Sequence, residues 1–291
     1  VYSVQSTSVI KRKPWEGLFF RSIIILNWSE NRLIKKDGEV SVVGFIGLLF
    51  RWAIYRCLGF RLIWIRHNRW PHASKVSSRP VLLLFQSLLA KLVNKQACPS
   101  HYWSNKLGLH YVPHIAYSDK QPFLSASRRN VAVMLGKMQP YKQYERILDD
   151  WHADLSLEVI GPINNEYKLI LDRCIEKRSR EESSILLNNC KLSDNDYDNA
   201  LLTSRYAVIS YSLNSAYVSG AIHHALSFGC LPIMPKSDYR DELQSQGIPV
   251  LSLENLDLNA RYSEEAYDIY FDCFGKKAVA QSWSELFRLV L

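Results

Sequence analysis

The sequence predicts an α/β protein of two domains, each a parallel sheet covered by helices. Three observations predict it. The chain has 291 residues, 47% of them hydrophobic and 22% charged, which is ordinary for a globular chain long enough to bury two cores. Short apolar runs alternate with amphipathic stretches, the pattern of parallel strands joined by crossover helices. The charge is divided: residues 1–127 hold 18 Lys/Arg and 5 Asp/Glu, a net of +13, whereas residues 128–291 hold 18 and 23, a net of −5. This composition excludes a disordered chain, a collagen-like repeat and a coiled coil. A basic half beside an acidic half directs one side toward an anionic surface or ligand.

In the first half, residues 21–28 (RSIIILNW) read as a buried strand, about 44–58 as a helix and 61–65 as the next strand. The stretch 42–65 is long enough to span a bilayer. However, Arg51, Arg56 and Arg61 would each cost roughly 2.5–3.5 kcal/mol at its centre, and Gly59-Phe60 divides it. It is expected to be a buried or interfacial helix followed by a core strand. Its arginines and Trp52 either face anionic headgroups or are the solvated ends of a core helix. A helix over 81–93 and short strands at 97–100 and 111–113 follow. Residues 114–129, with Pro122, Ser125 and Ser127 and little periodicity, read as a linker.

The second half alternates more regularly. Strands are expected at 130–136, 155–161, 184–187, 206–210, 231–234 and 249–251. Helices are expected at 141–151, at 164–177 (Tyr167, Ile170, Leu171 and Cys174 on one side), from the N-cap Ser193 to about 202, at 219–228 and from about 238. This is the grammar of a Rossmann-like domain, and the first half follows it too. The expected organisation is therefore 1–127, 128–277 and an amphipathic C-terminal helix 278–291 (Trp283, Leu286, Phe287, Val290) able to cap either domain. Two such domains face a cleft, with ligands at the carboxyl ends of the strands.

Six cysteines lie at 57, 98, 174, 190, 230 and 273 with no C-x-x-C spacing. That points away from zinc and thioredoxin-like chemistry and toward reduced, buried thiols in a cytosolic protein. The start, VYSVQSTSVIKRKPW, has no signal-peptide pattern, and beginning at Val points to a missing N-terminal piece. No internal repeat and no nucleic-acid-binding module is visible.

The chemistry is sought in the loops after strands. Gly136-Lys137-Met138-Gln139-Pro140-Tyr141-Lys142 sets two lysines at a helix entrance, where free N–H groups already favour anions; the plainer reading is two solvated lysines. Residues 211–220 begin with Tyr211 and place Ser215, Ser219 and Gly220 at the opening of another helix, a second natural phosphate seat, against ordinary capping by Ser219. His223 and His224 follow; both are candidates for plain packing, and His224 for a hydrogen bond to a ribose or sugar hydroxyl. In the first half, Glu30, the pair His67-Asn68, and His72 fall at strand carboxyl ends. Glu30 or His67 is a candidate general base, with a solvated loop carboxylate as the alternative for Glu30.

These pieces together resemble a known group. The strand ending in Trp28-Ser29-Glu30, IWIRHNRWPH (63–72), YVPHIAY (111–117), MLGKMQPYK (134–142) and SGAIHHALSFGCLPIMP (219–235) resemble, in order and rough spacing, GT-B-fold glycosyltransferases of bacterial polysaccharide biosynthesis. The likeness is to the family-4-like and β-mannosyltransferase-like group. It implies a nucleoside-diphosphate sugar, GDP-mannose or a similar hexose donor, held by the second domain. Lys137 and Lys142 would lie on its diphosphate, Ser215, Ser219 and Gly220 at the receiving helix, and His224 near the donor. It implies a lipid-linked or polysaccharide acceptor near Glu30, His67, Asn68, His72 and Tyr211, with the basic half on an anionic membrane at its cytoplasmic face. No metal or other cofactor is expected, because lysines and helix N-termini neutralise the leaving group. Ala216 and His224 stand where retaining members carry two glutamates eight residues apart, which directs the expectation toward inversion. The first half is short for this fold and lacks its usual first strand and glycine-rich loop, as a truncated domain would. The alternatives are a polysaccharide pyruvyltransferase using phosphoenolpyruvate and a catalytically degenerate nucleotide-sugar- or glycan-binding subunit.

Overall fold

The structure is a computed structural model that describes residues 22–35, 37–71, 74–121, 128–151, 154–178, 184–210 and 216–291. The chain divides into two compact units. Among the described residues, the first takes those up to His114 together with Ala216–Val218 and Ala278–Leu291, and the second takes the rest.

The first unit runs β1 (Ile23–Asn27), α1 (Val42–Cys57), β2 (Arg61–Ile65), α2 (Arg79–Ala90), β3 (Lys95–Cys98), α3 (His101–Leu107) and β4 (His110–Tyr111). Its sheet is parallel in the order β1-β2-β3-β4, with Ile23 opposite Arg61 and Asn27 opposite Ile65. Ser41 starts α1 by accepting the Gly44 N–H on its Oγ (3.0 Å), and Phe45, Leu48 and Trp52 turn one stripe of the helix inward. That stripe joins Leu62, Trp64 and Leu82 in a core on one side of the sheet. On the other side, Leu286 and Val290 of the C-terminal segment pack with Ile63, Ile65, Ala97 and Val112. The C-terminal helix (Lys276–Arg288) thus covers the first sheet. α3, seven residues capped by Ser100, had no counterpart in the sequence reading.

The second unit runs β5 (Arg129–Leu135), α4 (Tyr144–Asp149), β6 (Ser156–Ile160), α5 (Asn165–Arg178), β7 (Ile185–Asn188), α6 (Asp194–Thr203), β8 (Ser204–Val208), α7 (Gly220–Ser227), β9 (Leu231–Met234), α8 (Asp238–Ser245), β10 (Leu251–Ser252) and α9 (Glu264–Phe274). The sheet is again parallel, in the order β10-β9-β8-β5-β6-β7. Ser193 opens α6 with a reciprocal capping box with Asp196. The helix expected at 141–151 begins later, because Gln143 adopts a left-handed conformation (φ 55) between the 3-10 turn Pro140–Lys142 and α4. α9 has no counterpart among the expected helices: two of its four inward residues, Ala266, Tyr267, Tyr270 and Phe274, are tyrosines, which blur the apolar stripe.

The start of the expected linker is docked on the second unit. The Ala116 N–H donates to Phe274 O (2.9 Å) and the Tyr117 N–H to Ser227 Oγ (2.8 Å). Its later part, residues 122–127, lies outside the described residues. The thiols are free, but only Cys98 and Cys230 are buried. Cys57 is exposed, which corrects the expectation of buried cysteines, because it follows the outward stripe of α1. Among the described residues no helix is long and apolar enough to cross a membrane.

Candidate functional site

In the second unit the strand order reverses between β5 and β8, and ligands of open α/β sheets bind outside the carboxyl ends of strands at such a point. A cavity of about 160 Å³ lies there, lined among others by Gly136, Lys142, Tyr144, Tyr197, Ser210 and Ala221. Local chain geometry builds it. β5 gives way to Gly136, whose φ of +100 suits glycine, and Lys142 folds back to it: a Cβ there would lie 3.8 Å from Nζ, an ordinary contact. At the end of β6, a Cβ on Gly161 would meet Gly136 O at 2.1 Å, so the two strand exits are in direct backbone contact. The Met138 N–H donates to Pro162 O (3.0 Å), and the 3-10 turn Pro140–Lys142 returns the lysine to Gly136.

Lys142 is the charged residue of that lining, and no carboxylate shares it among the described residues. Burial lowers its pKa from the ordinary lysine value. A half-buried ammonium with no carboxylate beside it among the described residues can hold an anion. The first turn of α7 enters the same cavity through Ala221, one residue past Gly220, with the helix N-terminal N–H groups behind it. Ser219 is the buried N-cap, but its side chain makes no capping bond; its carbonyl accepts the Ile222 N–H (3.2 Å).

The other expected donor residues are placed differently. Lys137 is exposed and does not line the cavity. His224 is committed: its Nε2 is 2.6 Å from Asp198 Oδ1, and its ring stacks on Tyr117 (4.4 Å) and Tyr197 (4.6 Å). Tyr197, not His224, reaches the lining. His223 is packed, fully buried between the hydroxyls of Tyr270 (3.2 Å) and Tyr239 (2.5 Å). Tyr211 and Ser215 lie outside the described residues, as does His72. Tyr144, Tyr197 and Ser210 were not among the expected site residues; only Ser210, the last residue of the expected strand 206–210, carried a positional signal.

In the first unit, Glu30, His67 and Asn68 converge at the carboxyl ends of β1 and β2. Trp28 has a left-handed backbone (φ 54), uncommon for a bulky residue, and lays its ring on His67 with centroids 4.2 Å apart and planes 9° apart. His67 Nε2 is 3.1 Å from Asn27 Oδ1. An amide oxygen only accepts, so Nε2 carries the proton and Nδ1 keeps the lone pair. Burial, then the neighbouring His114, pushes the His67 pKa down to about 4. Glu30 sits in the 3-10 turn Ser29–Leu33 and is 1% exposed, so it is not a solvated loop carboxylate. Its Oε1 accepts the Asn68 N–H (3.3 Å). Oε2, Trp64 Nε1 and Asn68 Nδ2 are buried without a hydrogen-bond partner. Burial raises the Glu30 pKa, against the pull of its own backbone N–H, the Trp64 indole and Asn68. Asn68 also forms an antiparallel bridge with Ala216, and the Tyr217 N–H donates to His67 O (3.1 Å). Among the described residues no group of three or more His, Cys, Asp or Glu is arranged to hold a metal ion.

No protein-family model matches the sequence, and no curated protein matches it. Solved structures do resemble it. HepE of Anabaena, solved in complex with UDP, is similar at a TM-score of 0.62 and 11% identity, over 84% of this chain and 76% of that one. The lipopolysaccharide outer core galactosyltransferase WaaB is similar at 0.55 and 13%, over 85% and 74%. An α,α-trehalose-phosphate synthase (UDP-forming) from Burkholderia xenovorans, in complex with glucose-6-phosphate, is similar at 0.53 and 12%, over 83% and 70%. The fold is of the GT-B type. Both Rossmann-like units of this GT-B fold end their strands in a cluster of polar side chains, and the second adds the switch-point cavity with its lysine.

Proposed function

We propose that the chain is a glycosyltransferase using a nucleoside-diphosphate sugar. The observation that carries this is Lys142: a lysine folded onto a glycine strand end, in a cavity at the switch point with no carboxylate in its lining. The solved complexes of HepE with UDP lend it support, since this chain shares their fold. Lys142 and the α7 N-terminus bind the diphosphate and stabilise the charge that grows on it as the sugar departs, which supplies the positive charge without a bound ion. The acceptor oxygen bonds to the anomeric carbon, the bond from that carbon to the phosphate oxygen breaks, and the diphosphate leaves with the electron pair. The acceptor proton goes to Nδ1 of His67, which its lowered pKa keeps neutral near pH 7. Glu30, enclosed and bonded to the Asn68 backbone, holds that loop in place rather than taking the proton. With Ala216 and His224 at the two positions discussed above, one displacement with inversion is the simplest course. The acceptor we propose is a lipid-linked or polymeric saccharide, in keeping with the likeness to WaaB.

Thermal shift of the full chain with UDP, GDP, their hexose conjugates and phosphoenolpyruvate tests the proposal. A nucleoside diphosphate at about a hundred times its Kd should stabilise the fold by about 2.7 kcal/mol. A shift with phosphoenolpyruvate alone would replace the reading by a pyruvyltransferase. Binding of a nucleotide sugar with neither transfer nor hydrolysis would replace it by a binding subunit.

A further inference from the structure

We propose that His223 is the positioning residue of the donor cavity: through Tyr239 and Tyr270 it fixes the first turn of α7, with its ring proton on Nδ1. The proposal rests on the transferase reading for the ligand this turn receives, and goes beyond it in naming what holds the turn still.

α7 needs such a hold. It has eight residues, its N-cap Ser219 makes no side-chain capping bond, and its first turn meets the cavity at Ala221. A helix end without a local cap must be fixed from elsewhere if its N–H groups are to meet a phosphate to within about 0.5 Å. His223 closes that turn, its N–H donating to Ser219 O (3.4 Å). Its side chain does not line the cavity; it is fully buried and reaches two other helices. The hydroxyl of Tyr239, in the first turn of α8, is 2.5 Å from Nε2, and that of Tyr270, from α9, is 3.2 Å from Nδ1. The hold continues one turn on: the Ser227 hydroxyl accepts the Tyr117 N–H (2.8 Å), and Ser227 O accepts the Tyr267 O–H of α9 (3.1 Å).

Counting protons assigns the tautomer. The Ser227 hydroxyl donates to His223 O (2.6 Å), and the Tyr270 hydroxyl also donates to His223 O (3.0 Å), with Ser227 Oγ 3.1 Å away. A hydroxyl has one proton, so Tyr270 has none left for the ring and accepts from it instead. Nδ1 therefore donates to Tyr270, and Nε2 keeps the lone pair that accepts the Tyr239 O–H. The reverse tautomer would leave the Tyr270 oxygen against the His223 carbonyl with no proton between them. The imidazole also packs edge-on against Phe274 (4.7 Å, 68°), so an apolar ring would suit the space and leave no polar atom to satisfy. What a histidine adds is direction. Hydrogen bonds at both ring nitrogens fix the ring, and with it the rotation of α7 about its own axis, whereas apolar contact alone lets a short helix slip.

The test is calorimetric titration of the full chain with UDP and GDP, beside thermal unfolding of each variant. Tyr239→Phe and Tyr270→Phe keep their rings and lose one hydroxyl each; each should weaken binding of the nucleotide that the parent takes about tenfold. Leu155→Ala, a buried position just before β6 at the opposite end of the strands, should lower the unfolding temperature at least as far while leaving that affinity unchanged. His223→Gln, which keeps a donor and an acceptor, should retain more of the affinity than His223→Leu. Long-range ¹H–¹⁵N spectra of the histidine-labelled chain, with the His223 signals identified by their loss in His223→Gln, should show the proton on Nδ1. The proposal is overturned if both tyrosine variants bind the nucleotide as the parent does, if Leu155→Ala weakens binding as much as they do, or if His223 carries its proton on Nε2. In those cases a parent that binds a nucleoside diphosphate leaves the transferase reading standing. A parent that binds neither UDP nor GDP overturns that reading and this proposal together.

Discussion

In the first unit the strands follow chain order, β1-β2-β3-β4, whereas in the second the order β10-β9-β8-β5-β6-β7 reverses between β5 and β8. Each unit also places one non-glycine residue in the left-handed region after its first strand, Trp28 after β1 and Gln143 after the β5 exit. The use made of that strain differs. In the first unit the strand ends are closed by a Trp28–His67 stack over a fully buried Glu30. In the second the turn before Gln143 brings a lysine over Gly136 and a cavity remains. A monotone strand order, with successive connections on the same side, leaves its strand ends to be filled by side chains. A reversal sends the flanking connections apart and leaves a crevice. Under the proposed function, ligand capture falls to the second unit, and proton handling, which needs dry and shifted groups, to the first.

Removing Lys142 breaks this division most sharply. Lys142→Ala should weaken UDP binding about 10- to 100-fold and lower transfer by about 10²- to 10³-fold while the unfolding transition stays in place. The pH dependence sharpens it further. The ammonium attracts the diphosphate only while protonated, and burial lowers its pKa, so affinity should decline at a pH below the usual lysine titration. Lys142→Arg should bind across that range, because a guanidinium does not titrate there. Calorimetric titration of UDP from about pH 7 to 10 measures both; unchanged affinity in Lys142→Ala would detach the cavity from the donor.

The two units carry matched glycine contacts that test them separately. A Cβ on Gly161 would lie 2.1 Å from Gly136 O, and one on Gly44 would lie 1.9 Å from Arg32 O, in the 3-10 turn that holds Glu30. Both neighbours are backbone atoms, so each alanine must displace a strand-end loop, at a stability cost of about 1–3 kcal/mol by denaturant unfolding. Gly161→Ala should also weaken UDP binding, whereas Gly44→Ala should slow transfer at unchanged UDP affinity. Equal loss of UDP affinity in both would mean that the two strand-end clusters do not act independently.

Most strands and long helices were legible because period-2 and period-3.6 patterns survive in them, as in NVAVMLG, whose apolar core lies inside β5. α3 is too short for a period, and the tyrosines of α9 hide its inward face, so both escaped. The loop bearing Lys142 was legible as a basic helix entrance, but spacing alone does not separate Lys137, which stays outside, from Lys142, which folds back; the left-handed turn at Gln143 does. His224 looked available in sequence, and its capture by Asp198, 26 residues earlier, is a tertiary fact. Glu30 was placed at a strand end correctly, but its burial depends on Trp64 and Asn68 from the neighbouring strand and its exit.

The smallest effects separate the two titrating groups of the first unit. The unfolded-state value of His67 is near 6.5 and its folded value about 4, so between them the unfolded chain takes up a proton that the fold refuses. Its contribution to stability is intact above about pH 6.5 and lost as pH falls toward 4, on the order of 3 kcal/mol in all. Glu30 has the opposite sign: its folded pKa is raised above 4.5, so its contribution is present below that value and lost as pH rises through the folded one. In denaturant titrations at several pH values, His67→Gln should flatten the acid limb, and Glu30→Gln should stabilise the fold near neutrality while keeping an oxygen for the Asn68 N–H. Transfer then distinguishes their roles. His67→Gln should lower kcat about 10²-fold, as loss of a general base does, and Glu30→Gln less than about tenfold, as loss of a positioning group does. A 10²-fold loss in Glu30→Gln with His67→Gln nearly active would move the proton to the carboxylate, and the enclosed geometry would then have to open in the working state.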